Sequence, residues 1–291
     1  MTELSIVIPT RDRHARLRQT LEATVAQRRE VDFEIIVVDD GSASSAEGAT
    51  RGLATPVRFL RLPPGGPARA RNRGAALARA ARVLFLGDDT RPAPGALAEH
   101  VQLAGRLGDV GVQGHIDWDP ERPITELMRF LAPEGPQFYF KGLEPRQMIP
   151  FSAVLGSNLS VPAAWLRAEP FDEGFPFAAV EDTEAAWRWH RRGWRTVYAP
   201  GALCWHRHHY AELGPFLERQ RRAGSSARHA ARLHPRLVPK LVLEPLLYGL
   251  VIRMRSLVGR SRRHDAWDLA CRRAYFSGFL TRANAIKGRS A

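Results

Sequence analysis

A chain of 291 residues with 44% apolar and 25% charged side chains has the composition of a globular protein with room for a sizeable core, one large domain or a domain with an appendage. Its formal net charge of +13 rests almost wholly on arginine, Lys141, Lys240 and Lys287 being the only lysines, and this surplus indicates an anionic partner: nucleotide phosphate, nucleic acid or an acidic membrane surface. Cys204 and Cys271 form no C-x-x-C pattern, which excludes a zinc cluster or disulfide framework and fits a reducing cytoplasm. The start of the chain carries no signal-peptide pattern, and the longest apolar run, 241–252, contains Glu244 and Pro245 and is too short to span a bilayer, so a soluble or peripheral protein is expected.

In chain order, "LSIVIPT" (4–10), "FEIIVVDD" (33–40), "VRFLRL" (57–62) and "RVLFLGDD" (82–89) read as strands, and the continuous apolar runs read as strands buried on both faces. Leu17, Leu21 and Val25 lie at helical spacing after the first strand, and "GPARARNRGAALARA" (66–80) is a helix opened by Gly-Pro. Strand and helix alternating at this interval imply βαβ units and a parallel sheet, whose ligands bind beyond the carboxyl ends of the strands. Residues 119–136 are proline-rich and predict loop with a short helix. "LGSNLSVP" (155–162) predicts another strand. Residues 175–209 predict a loop, a helix from about Glu181 to near Gly193 and an extended segment. From Tyr210 the pattern is of basic amphipathic helices broken at Gly224, Pro235 and Pro245, and Trp267, Cys271, Tyr275 and Phe279 form one apolar stripe that reads as packing.

Two of the four strands end in acid pairs, Asp39-Asp40 and Asp88-Asp89, so both pairs are expected on one sheet edge. Adjacent carboxylates disfavour each other's ionised form unless a cation lies between them. Either pair could be turn chemistry, with Ser42 capping the helix after it; the alternative at Asp88 and Asp89 is a hard divalent cation whose remaining positions go to water and phosphate oxygens. Asp40 could accept the imide N–H of uracil or thymine. Pro9, Thr10, Arg11 and Arg13 sit at the mouth of the first strand, and Arg69 and Arg71 come after a glycine pair, where cationic donors would suit a diphosphate. Asp182 and Glu184 could simply favour a helix N-terminus. His206 and His208 lie two apart on an extended segment and so point to one face. Trp187, Trp189 and Trp194 could stack on sugars or pack in the core.

In this order "SIVIPTRDR", "IIVVDDGS", "GGPARARNRGA", "LFLGDDTRP", "VEDTEAAWRWHRRGWR" and "WHRHH" resemble the inverting, nucleotide-sugar-dependent glycosyltransferases of family 2, over roughly residues 4 to 209. The resemblance implies an α/β GT-A fold: a Rossmann-like, mostly parallel sheet flanked by helices, with a C-terminal helical extension. The expected domains are a catalytic one over 1–209, made of a nucleotide-sugar half (1–115) and an acceptor half (116–209), and a basic helical extension over 210–291. By resemblance, Asp89 and His206 hold Mg²⁺ or Mn²⁺, with Gly87 standing where the family's Asp-x-Asp motif has its first acid. Asp88 contacts the ribose or a metal-bound water. Pro9, Thr10, Arg13, Asp40 and Arg71 contact base, ribose and phosphates, and Asp182 is the general base supported by Glu181. Apart from the resemblance, Trp187 is the tryptophan taken as the candidate contact to the acceptor sugar. The implied partners are a UDP- or dTDP-sugar donor and a glycan or lipid-linked acceptor in cell-surface or secondary glycan synthesis.

Two rival classes share parts of this pattern. A sugar nucleotidyltransferase has the parallel sheet and the metal, but usually carries a glycine-rich loop after the first strand, and "IPTRDRHARL" has no glycine. A non-catalytic binder of nucleic acid or membrane suits the arginine surplus, yet no nucleic-acid motif with interleaved aromatics occurs, so nucleic acid is not expected. Residues 235–263 could rest on an anionic bilayer, which would place a cytoplasmic enzyme on the inner face of the membrane, or could serve as a dimer contact.

Overall fold

The computed structural model describes residues 2–281. Residues 282–291, the end of the expected C-terminal extension, lie outside the described residues. The strands are β1 (Leu4–Thr10), β2 (Phe33–Asp40), β3 (Val57–Leu62), β4 (Arg82–Leu86), β5 (Thr90–Pro92), β6 (Gly111–Trp118), β7 (Asn158–Pro162) and β8 (Thr196–His206). The helices are α1 (His14–Val25), α2 (Pro67–Ala76), α3 (Ala96–Leu107), α4 (Glu126–Leu131), α5 (Ala163–Ala168), α6 (Glu181–Arg191), α7 (Leu213–Leu233), α8 (Glu244–Leu257) and α9 (Asp265–Leu280).

Among the described residues the strands form one eight-stranded sheet in the order β3-β2-β1-β4-β7-β6-β8-β5. β1 to β4 run parallel, as expected for buried apolar runs joined by helices, and Leu4, Ile6, Ile8, Ile35, Val37, Leu84 and Leu86 are fully buried in the main core cluster. β7 is antiparallel to β4, with Leu86 opposite Asn158, so the start of β7 meets the end of β4. β6 is antiparallel to β7 and parallel to β8, with Trp118 opposite His206, and β5 returns antiparallel with Thr90 opposite His206. These three reversals bring residues from both halves of the sheet to the edge where Thr10, Asp40 and Asp88 already lie.

The structure fills two gaps in the sequence reading and corrects one expectation. Thr90–Pro92, directly after the acid pair, form a short strand because β8 supplies ladder partners. α3 and β6 occupy 96–118, a segment to which the sequence reading assigns no element. α7 runs through Gly224 without a break: a Cβ there would lie 1.8 Å from Tyr275 O, and one on Gly278 would meet Arg221 O at 1.7 Å. These glycines serve close backbone approach between α7 and α9, not helix termination. Along α9 Cys271, Ala274 and Gly278 are buried, as is Asp265 at its start, so the apolar stripe is packing, shifted toward small residues by the same approach.

Two compact units can be distinguished. One comprises the chain through Ile124 with Leu131–Glu173 and Asp182–His209; the other comprises Thr125–Phe130, Gly174–Glu181 and the chain from Tyr210 on.

A buried polar network fastens the centre of the sheet. His100 of α3 is fully buried, with Nδ1 3.1 Å from Ser160 Oγ and Nε2 2.9 Å from Asn158 Oδ1. Asn158 Nδ2 donates to His115 O and Ala202 O at 3.0 and 2.7 Å, so Asn158 Oδ1 is the acceptor and His100 Nε2 carries the proton. Burial outweighs the Asn158 bond and pushes His100 down to about 4. The unfolded chain therefore binds a proton that the folded chain refuses between pH ~6.5 and ~4, and stability falls as pH drops through that window, by up to about 3 kcal/mol. Urea unfolding of wild type against His100→Gln across the window is expected to show the steeper acid loss in wild type; identical pH slopes would contradict this.

Candidate active site

β1 and β4 deliver Thr10 and Asp88 side by side, and the Thr10 hydroxyl donates to Asp88 Oδ2 at 2.8 Å. The first cation between the acids is an arginine: Arg13 Nη1 lies 3.1 Å from Asp88 Oδ1 and 3.0 Å from Asp89 Oδ2. Arg16, one turn along α1, places Nη1 3.9 Å from the same Asp89 oxygen and 3.3 Å from His208 Nδ1. Sequence reasoning assigns Arg13 to the nucleotide and gives Arg16 no role, although the three-residue spacing is visible. Burial, then the Asp89 charge, pushes Asp88 up to about 6 against the pull of Arg13 and Thr10.

His206, at the end of β8, points Nε2 toward Asp89 Oδ1 at 3.5 Å. Its ring packs edge-on to Trp118 and Phe138 at 5.4 and 5.1 Å between centroids, with His208 6.1 Å away. Burial, and next the neighbouring His206, lowers His208 to about 4, so it is neutral at pH 7. Asp119, unforeseen, anchors this corner: it pairs with Arg91 at 3.0 Å and Arg207 at 3.1 Å, and its N–H donates to His206 O at 3.2 Å. The parallel-strand rule that singles out the other acids would find it once β6 is recognised.

No group of three or more His, Cys, Asp or Glu side chains converges among the described residues. Asp89 and His206 still fit a divalent ion as a two-ligand set. Their 3.5 Å separation is one that two donors of a single ion can span, an O,N pair suits Mn²⁺, and ions of this kind leave their other positions to phosphate and water.

The four acids of the two pairs do different work. Asp39 closes the loop after β2 by accepting N–H bonds from Ser42 and Ala46 at 2.8 and 3.0 Å; burial would raise it, but these bonds and Arg61 hold it below the usual range. Asp40 accepts the N–H groups of Gly65 and Gly66, each at 2.8 Å. It thereby shapes the loop before α2, and each oxygen keeps a further lone pair. Directly after it, Gly41 and Ser42 line a recess of about 490 Å³ with Arg61, Leu62, Pro63 and Pro64. Pro9 is half-buried beside Thr10 on β1.

Arg71 of α2 is buried, its guanidinium 5.5 Å from the Phe171 ring centroid. Asn72 fixes that ring's backbone by exchanging two bonds with Phe171, at 2.9 and 3.0 Å. A Cβ on Gly156 would lie 2.9 Å from Arg71 Cζ, so the missing side chain lets the guanidinium lie close against this stretch of backbone. The N–H of the same glycine donates to Asp182 Oδ2 at 2.9 Å, and Thr183 N–H donates to Asp182 Oδ1 at 2.8 Å. Ser157 O accepts from Gly87 N at 3.1 Å, which ties this strap to the turn carrying Asp88 and Asp89. Arg71 and Asp182 thus flank one glycine beside the acid pair.

Glu181 is buried at the start of α6, directly after Val180, whose φ of +71° is a strained conformation for a β-branched residue. Glu184 is fully absorbed in an ion pair with Arg188 at 2.7 Å. Of the tryptophans, Trp189 is buried and Trp194 stacks on Trp165 at 5.0 Å, which makes both packing residues, whereas Trp187 stays half-buried under Arg191 at 5.2 Å.

The profile of Glycosyl transferase family 2 matches residues 5–149, and that of Glycosyl transferase family group 2 matches residues 82–271. The chain belongs to glycosyltransferase family 2. This family 2 member is 27% identical over 235 residues to chondroitin synthase of Escherichia coli, covering 70% of this chain and 34% of the relative. It is 30% identical over 222 residues to validoxylamine A glucosyltransferase of Streptomyces hygroscopicus subsp. jinggangensis, covering 65% of this chain and 52% of the relative. The chain therefore spans between a third and about half of the length of these relatives. Its fold is GT-A: the crystal structure of GalNAc-T7 with UDP, GalNAc and Mn²⁺ superposes with a TM-score of 0.57 at 16% identity, over 78% of this chain and 47% of that one.

Proposed function

We propose that the chain transfers a sugar from a nucleoside diphosphate donor, UDP or dTDP favoured, to a hydroxyl of a glycan or lipid-linked acceptor, with inversion at the anomeric carbon. The observation that carries this reading is the convergence of the Arg13-bridged Asp88 and Asp89, His206, Arg71 and Asp182 around the ends of β1, β4 and β8 and the start of β7. GalNAc-T7, with its UDP and Mn²⁺, supports the donor class, and the two synthetic relatives support a glycan or glycoside product.

In this reading the recess beside Gly41 takes the nucleobase, with an Asp40 lone pair facing an imide N–H. The donor diphosphate lies against Arg71 and Arg13. Mn²⁺ or Mg²⁺, when bound, would be held by Asp89 and His206 and would add positive charge at the departing diphosphate. Asp182 takes the proton from the acceptor hydroxyl while that oxygen forms its bond to the anomeric carbon. The bond from that carbon to the diphosphate oxygen breaks on the opposite face, and its electron pair leaves with the diphosphate. Two backbone N–H groups hold the Asp182 carboxylate in one orientation, so little reorganisation precedes the attack. Trp187 and Glu181 are assigned to acceptor contact and to support of Asp182.

Thermal shift with UDP, dTDP, GDP and their sugar conjugates, with and without Mn²⁺, tests the donor reading. A ligand at about a hundred times its Kd adds about 2.7 kcal/mol, or roughly 4–5 °C for a chain of this size. Stabilisation by a uridine or thymidine diphosphate that grows with Mn²⁺ is expected. No shift with any nucleoside diphosphate would overturn the reading.

A further inference from the structure

α8 presents a face that sugar transfer does not use. Ile252 is fully buried, and Leu241 is buried in the turn that leads into the helix. On the opposite side Leu243, Leu246, Leu247, Leu250, Met254 and Leu257 recur at three- and four-residue steps, which at ~100° per residue puts them within an arc of about 100°. They are between 48% and 86% exposed, and Val258, next in the chain, is 67% exposed. A contiguous apolar stripe of this size on a protein surface marks an interaction site.

The charge around it is one-sided. Residues 235–263 carry seven Lys or Arg against one acid, Glu244; Lys240 pairs with Glu244 at 2.7 Å, Arg255 with Asp265 at 2.6 Å and Arg263 with Glu126 at 2.7 Å. Arg253 borders the stripe, and Arg260 and Arg262 lie just past its most exposed end; all three are exposed. The helix has 14 residues, so it is ~21 Å long, short of the ~30 Å hydrocarbon thickness of a bilayer. Among the described residues no helix is long and apolar enough to cross a membrane.

We propose that α8 and the turn over 258–263 dock on the surface of an anionic lipid bilayer. The leucine stripe enters the boundary between headgroups and acyl chains, and the arginines lie above it against lipid phosphates. An apolar row bordered by Arg253 and ending at Arg260 and Arg262 matches that layering, because the apolar side chains and the cations meet the acyl boundary and the lipid phosphates respectively. This surface is independent of the transfer chemistry.

The test is flotation of the full chain with phosphatidylcholine vesicles, with and without phosphatidylglycerol, in the absence of nucleotide. The chain is expected to float with the anionic vesicles, and less so at high salt. Leu250→Glu with Leu257→Glu is expected to reduce the bound fraction about tenfold or more, and Arg260→Ala with Arg262→Ala to weaken it on anionic vesicles only. All four side chains are exposed, and an unchanged melting temperature checks that the variants fold. Absence of flotation, or equal binding to neutral and anionic vesicles, would overturn the proposal. So would a dimer in sedimentation that the leucine variant dissociates, which would assign the stripe to a second copy. Since nucleotide is absent throughout, a negative result leaves the transferase reading untouched.

Discussion

Asp182→Asn is expected to lower the rate of sugar transfer by about 10²–10⁴-fold while leaving donor affinity within a few-fold of wild type. The substitution removes the proton acceptor but changes the side chain by one atom. It also turns an NH₂ group toward one of two N–H donors, Gly156 or Thr183, that now hold the carboxylate. Local loosening of the strap is the structural consequence, and because that strap borders Arg71, the donor titration is the necessary control. Initial rates at saturating donor, together with nucleotide binding and melting temperature for the same variant, separate loss of the base from loss of the fold. Transfer at the wild-type rate would remove Asp182 from the mechanism.

Asp89→Asn is expected to remove the Mn²⁺-dependent part of nucleotide affinity and to lower the rate about 10²–10³-fold, the scale seen when one stabilising group is taken from a developing charge. Asp89 faces Arg13, Arg16 and His206 at 3.0, 3.9 and 3.5 Å, so its loss also takes one carboxylate away from Arg13. His206→Ala is expected to have a similar effect. If both side chains hold one ion, the double variant is scarcely worse than either single one, because the two losses are the same loss. Mn²⁺-dependent binding that survives in Asp89→Asn would show that the ion, if used, is held elsewhere.

Much of this site was legible because its residues sit at the ends of strongly patterned strands. The apolar runs at 4–10, 33–40 and 82–86 announce buried strands, and the carboxyl edge of a parallel sheet is where acids at their ends must gather. The partner of each acid was not legible. Asp39 and Asp40 are neighbours of the same type, yet one closes its own loop while the other reaches the Gly65-Gly66 turn. Asp182 and Glu184 look alike at a helix start, and only Glu184 is taken by Arg188. Gly224 resembles a helix breaker from composition and proves to be a contact point, since the reason for a missing side chain lies in another helix.

The amino-acid order alone determined the alternation of strands and helices, the burial of the central strands, the edge on which the acids lie and the family to which the motifs belong. These depend on period and on residues within one turn or one strand of each other, where the spacing of side chains is dictated by the backbone. Tertiary structure alone decided that β7 turns antiparallel, that three residues at 90–92 become a strand, that Arg13 stands between Asp88 and Asp89, and that His206 arrives beside them. Hydrogen bonds and ion pairs act over about 3 Å, and positions as distant in sequence as Arg13 and Asp88, 75 residues apart, or Asp89 and His206 reach that distance only after the sheet has closed its order.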